Sequence, residues 1–161
     1  GTGALSLESL SRGALHAVCV EKAERHARAI RHNLAAMQAA PHTLEVRVQD
    51  AFVALTQMAA AARQFDLVLA DPPYGEKNVG KRSRSFAQRL LDDVHLPQVL
   101  SPAGLFVLGH TKRDTLEIPP AWTEVKMLKH GDTVMRLLKA VGGAGTAGAT
   151  PASPGVGQGP T

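Results

Sequence analysis

Short apolar, β-branched runs alternate with stretches of helical spacing along this chain, and that alternation leaves few folds open. His16–Val20, Leu44–Val48, Phe65–Ala70 and Leu105–Leu108 read as buried strands. In the second of these, Leu44, Val46 and Val48 fall on one face and are expected to point inward. Leu5–Leu10 predicts a short helix closed by Gly13. Ala23–Ala40 carries Ile30, Leu34 and Met37 at helical spacing and stops at Pro41. Phe52–Arg63 and Phe86–Leu100 predict two further helices, and Pro102-Ala103-Gly104 reads as a turn. Glu124–Leu128 and Thr133–Leu138 flank Lys129-His130-Gly131-Asp132 and predict a closing hairpin. The expected fold is therefore α/β, a mostly parallel sheet covered on both faces and ending in an antiparallel hairpin. Right-handed crossovers place the loops after the strands on one edge, where such sheets bind ligands. Glu21, Asp50, Asp71 and His110 all follow strand runs and are expected to converge on one cleft.

Length and charge narrow the possibilities. A chain of 161 residues has room for one core. From Ala140 to Thr161 no side chain is charged, and those 22 residues hold 7 of the 15 glycines and 3 of the 10 prolines. Such a stretch has little to bury against its ordering entropy, so residues 140–161 are expected to be a disordered tail behind a domain at 1–139. The net charge of +4 then belongs to the domain and is compatible with a polyanionic partner. A single cysteine, Cys19, excludes an intramolecular disulfide framework and a cysteine-based metal cluster, and suggests a reducing, cytoplasmic setting. No apolar run approaches the roughly 20 residues that span a bilayer.

The candidate chemistry lies at the strand ends. Gly1-Thr2-Gly3 stands before a helix, where backbone can approach a ligand closely and free amides favour an anionic group. The third glycine of a dinucleotide fingerprint is replaced by Ser6, which argues against an oxidoreductase, and plain loop glycines remain an alternative. Glu21 can accept both hydrogen bonds of a ribose diol, or act as a solvated acid at a helix start. Asp50 can accept from an adenine amino group and also cap the helix that follows it.

Asp71-Pro72-Pro73-Tyr74 is the most specific of these signals. Two prolines fix the backbone and remove its amide donors, leaving carbonyl oxygens and a carboxylate. That donor-poor rim suits a planar amino group, whose two hydrogens must be accepted while the nitrogen lone pair faces an electrophile. Tyr74 can stack on the base that carries the amino group, for about 1–3 kcal/mol. A rigid turn with a capping aspartate is the plainer alternative.

Taken together, Gly1 to Ala14, Val20-Glu21-Lys22, Asp50-Ala51-Phe52, Phe65 to Tyr74 and Gly131-Asp132-Thr133 resemble the RsmD family. Its members are small S-adenosylmethionine-dependent methyltransferases that modify the exocyclic N2 of a guanine in 16S ribosomal RNA. The resemblance covers Gly1 to about Lys139 and implies a Rossmann-like class I methyltransferase fold. It implies that Gly1, Thr2 and Gly3 face the methionine part of the cofactor and that Glu21, with Lys22 beside it, holds the ribose. Asp50 would contact the adenine, with Ala51 and Phe52 beside it. Asp71, Pro72, Pro73 and Tyr74 would hold a flipped base for in-line transfer, Asp71 also bordering the cofactor. It further implies a monomer that works on ribosomal RNA or a small-subunit particle, without metal or membrane. Family members carry a strand before the glycine loop, ending in an acidic residue and a Phe-Ala pair. This chain begins at Gly1, so a sheet without that central strand, and weak or absent activity, are expected.

Lys77, Lys81, Arg82 and Arg84 follow the Asp71–Tyr74 motif and are candidates for RNA phosphate contacts, with His110-Thr111-Lys112-Arg113 a second group. The competing readings are a DNA adenine-N6 methyltransferase, which shares the Asp-Pro-Pro-Tyr motif, and an inactive fragment that only binds RNA. The segment between Tyr74 and Lys139 is short for a DNA target-recognition region.

Overall fold

The computed structural model describes residues 2–73 and 81–142. Helix α1 (Ala4–Ser11) leads into strand β1 (Ala17–Glu21), helix α2 (Glu24–Ala36), strand β2 (Leu44–Val48), helix α3 (Ala51–Ala60) and strand β3 (Phe65–Ala70). Helix α4 (Phe86–Asp92), strand β4 (Leu100–Thr111) and the hairpin β5 (Trp122–His130) and β6 (Thr133–Ala140) follow. The α/β class and the closing hairpin are as expected.

The expected single sheet is instead two. β1 and β2 form a parallel pair, and the second sheet runs β3-β4-β6-β5, with β3 and β4 parallel and the hairpin antiparallel. The break falls between β1 and β3, which share no ladder. Side chains still bridge it. β1 turns Ala17 and Cys19 toward Leu7, Ile30, Leu34 and Leu44 on the α1 and α2 side. It turns Val18 and Val20 toward the larger core around α3, where Val68 and Ala70 of β3 also pack. The centre of that core is Phe106 and Leu108 of β4 with Leu91 of α4. Trp122 lies 5.2 Å from the Phe106 ring and donates its indole N–H to the Leu91 carbonyl at 2.8 Å.

Several boundaries differ from expectation, each for a local reason. Val48 is exposed, because the helix cover over this face reaches Leu44 and Val46 but not the end of the edge strand. α2 stops at Ala36, short of Ala40, with Gln38 in a left-handed conformation at φ 55° before Pro41. α3 likewise stops at Ala60, where Ala62 turns left-handed at φ 51°. The helix expected to reach Leu100 ends at Asp92, since the Asp93 carboxylate caps the next turn, accepting from the His95 and Leu96 amides at 2.9 Å. Pro102-Ala103-Gly104 is no chain reversal but an irregularity inside β4: Phe65 pairs with Leu100 while Leu67 pairs with Leu105. Ala140, assigned to the tail, is the last residue of β6 and pairs with Trp122. Residues 143–161 lie outside the described residues.

Phe106 is fully buried against the Trp122 ring and the aliphatic side chains of the core. Truncation to alanine is expected to cost about 3–5 kcal/mol, read as a fall in the urea midpoint with an unchanged slope.

Candidate active site

β3 carries Asp71, Pro72 and Pro73 beyond its carboxyl end, with Asp71 exposed and Pro72 half-buried. A cavity of about 160 Å³ opens beside them. Leu69, Val107 and Met135 form its apolar wall, Asp71 and Thr133 are its polar groups, and Leu5 reaches it from α1. Thr133 follows the Gly131-Asp132 turn noted in the sequence, but Val107 and Met135 become site residues only through the β4 and β6 register. No local motif announces them. Tyr74 lies outside the described residues.

Glu21 closes β1, and the parallel register brings it beside Val48 of β2. Its Oε1 accepts from the Ala23 amide at 2.9 Å and stands 3.4 Å from His26 Nδ1. Burial pushes this carboxyl upward, but hydrogen-bond donors, the Ala23 amide and His26 among them, outweigh it and hold the group well below the usual glutamate range. Glu21 is thus an ionised acceptor. The Gln49 amide donates to the Glu21 carbonyl at 3.1 Å, so the loop that ends in Asp50 is tied to the same strand end. Asp50 caps α3, its Oδ1 accepting from the Phe52 amide at 2.9 Å. Ala51 and Phe52 are half-buried, and Lys22 is exposed. The Phe52 ring meets Phe86 at 5.1 Å and carries the Arg89 guanidinium 4.4 Å above it.

Gly3 has an architectural reason to be glycine. It caps α1 at φ 77°, and a Cβ there would stand 2.9 Å from the Ile30 side chain of α2. The Thr2 carbonyl accepts from Asn33 Nδ2 at 3.1 Å, fixing the start of α1 on α2. Gly1 lies outside the described residues.

The basic residues divide. Lys81 and Arg84 are exposed, and Lys77 lies outside the described residues. Arg82, also exposed, binds Asp92 at 2.7 Å and Glu117 at 2.8 Å, so its charge is matched within the fold. Next to it, buried Ser83 donates to buried Asp114 at 2.5 Å. In the later group Lys112 pairs with Asp132 at 2.6 Å.

Residues 1–139 match the family described as "Conserved hypothetical protein 95". A Bacillus subtilis protein described as "Putative rRNA methyltransferase YlbH" is 28% identical over 129 residues, covering 80% of this chain and 64% of that protein. The chain thus spans less than two thirds of that curated relative. Among solved structures, a Haemophilus influenzae protein described as a "putative methylase" is 26% identical with a TM-score of 0.68, the match covering 88% of this chain and 75% of that one. A "putative methyltransferase" solved in complex with SAH has a TM-score of 0.67 at 16% identity, covering 86% of this chain and 43% of that one, a likeness of fold.

His110, expected in the cleft, is buried and engaged elsewhere. Arg136 can only donate, so its Nε–H at 3.0 Å makes His110 Nε2 an acceptor and places the neutral ring's proton on Nδ1, 2.8 Å from the Thr111 carbonyl. Arg136 in turn pairs with Glu124 across the hairpin. Burial pushes the imidazole below its ordinary range, and the Arg136 charge adds to this against the opposing Thr111 bond. A depressed folded-state value means the contribution to stability is complete above the unfolded value of 6.5 and is lost as pH falls. The urea midpoint is expected to drop between about pH 7.5 and about pH 5.5, and to drop less in His110→Gln.

Proposed function

The chain belongs to the family described as "Conserved hypothetical protein 95", the RsmD family, and from that premise we propose that it transfers a methyl group from S-adenosylmethionine to an exocyclic amino group of ribosomal RNA, the N2 of a guanine. The observation that carries this reading is the exposed Asp71 carboxylate at the end of β3, followed by two prolines without amide donors and bordering a cavity. The relative described as an rRNA methyltransferase supports the substrate class, and the fold shared with a protein solved with SAH supports the cofactor.

The residues present fit that cofactor. A ribose diol donates hydrogen bonds, and Glu21 is held as an ionised acceptor at its strand end. Asp50 keeps its carboxylate at the neighbouring strand end while capping α3, whereas the Phe52 ring is engaged by Phe86 and Arg89. When bound, S-adenosylmethionine supplies a methyl group already activated on a sulfonium. The protein's part is positioning. Asp71 and the adjoining carbonyls accept the amino hydrogens and orient the nitrogen lone pair, and the apolar cavity wall of Leu69, Val107 and Met135 excludes water beside it. Tyr74 stacks on the extruded base. Lys81 and Arg84 contact phosphates, whereas Arg82 anchors their segment through Asp92 and Glu117.

Asp71→Ala is expected to lower transfer of labelled methyl to 16S ribosomal RNA by at least about 100-fold while calorimetric S-adenosylmethionine affinity stays within about twofold. Retained turnover would exclude the amino-group role. Glu21→Ala should do the reverse, weakening cofactor affinity about 10- to 100-fold through loss of charge-assisted hydrogen bonds and leaving RNA affinity unchanged.

Arg84→Ala is expected to weaken RNA binding and reduce its salt slope by about 1, measured by anisotropy between about 50 and 200 mM salt. Arg82→Ala should leave that slope as it is, because its charge is already matched.

A further inference from the structure

Gly109 lies in β4, one step beyond the Leu108 that pairs with Ala70, and is therefore level with Asp71; across β4's other edge it pairs with Met135. A Cβ at this position would stand 2.7 Å from Asp71 Oδ1, 3.4 Å from its Cγ and 3.3 Å from Met135 Sδ. Contacts between non-bonded heavy atoms are best at about 3.5–4.0 Å, so the first is a collision. Gly109 belongs to a regular stretch of strand and is not among the residues with positive φ. Space is the reason for glycine here, not backbone conformation.

We propose that Gly109 is a positioning residue for methyl transfer: the absent side chain lets the Asp71 carboxylate rest against β4 at the mouth of the cavity, in the orientation that receives the target amino group. This rests on the reading of Asp71 as the amino-group acceptor. Asp71 has two side-chain torsions, and its backbone is held extended by the proline that follows. The atom that a methyl group would meet is the far end of this side chain, so the carboxylate yields most readily by swinging away from the strand. Asp71 is exposed, so that swing costs the fold little, yet it moves the acceptor by about the 1 Å that can cost 100-fold in rate. Stability and turnover are thereby separable at this position.

The test compares Gly109→Ala, Asp71→Ala, Met135→Ala and the Gly109→Ala/Met135→Ala pair with the unsubstituted chain. Methyl transfer to 16S ribosomal RNA, KM for RNA, calorimetric affinity for S-adenosylmethionine and Tm are measured for each. In Gly109→Ala, kcat is expected to fall about 100-fold while KM, cofactor affinity and Tm change little. The double variant removes the Met135 contact and isolates the one with Asp71; it should remain far slower than Met135→Ala even if Gly109→Ala alone folds poorly. Turnover of Gly109→Ala within about twofold of the unsubstituted chain, with Asp71→Ala inactive, would overturn the positioning role alone. Parallel losses of kcat, cofactor affinity and Tm in both Gly109 variants would make the role structural and overturn it too. An active Asp71→Ala would overturn the underlying reading of the site.

Discussion

The parallel pairing of β3 with β4 is the interaction on which the rest of the molecule depends. Residues Leu67 to Ala70 run in register with Leu105 to Leu108, so the chain leaving β3 emerges level with Gly109. β4 then pairs along its other edge with β6, which brings Thr133 and Met135 to the same end of the sheet. One face of this sheet, through Val68, Phe106, Leu108 and Leu138, packs under α3 and α4. The opposite face carries Leu69, Val107 and Met135 to the cavity. The period of two along each strand thus assigns alternate residues to the core and to the site. Gly109 and buried His110, neighbours in sequence, serve opposite faces for that reason.

Charge is used unevenly around this frame. A net +4 suggests a general attraction for polyanions, but much of the arginine complement is committed within the fold. Arg82 links α4 to the segment before β5, Arg136 joins His110 and Glu124, and Arg47 and Arg63 both hold Glu45 on β2. The last pairing keeps Glu45 below the usual glutamate range, the Arg47 hydrogen bond contributing most. Guanidinium groups suit such roles because their fork of donors engages carboxylates from two directions. A count of cations therefore overstates the charge left for a polyanionic partner.

Much of the fold was legible beforehand where the local signal was strong. Leu44–Val48 and Phe65–Ala70 were delimited as strands to the residue, since an alternating run in the first and an apolar run in the second meet turn or helix-capping residues at their ends. Asp50 as a helix cap followed from its place between a strand and a helix. Less legible were features that depend on partners far along the chain. The irregularity in β4 needs Phe65 to pair with Leu100. The commitment of Arg82 needs Asp92 and Glu117, 10 and 35 residues away.

By itself the order of residues determined which short runs form strands, which acids stand at their ends, and that Asp71 precedes two prolines. These are local properties, set by side-chain period, proline's fixed backbone and hydrogen bonds across a few residues. It did not determine that His110 would turn into a pair with half-buried Arg136, or that Gly109 would lie against Asp71. Those outcomes depend on register and close packing between segments tens of residues apart, which arise only when the strands are laid side by side.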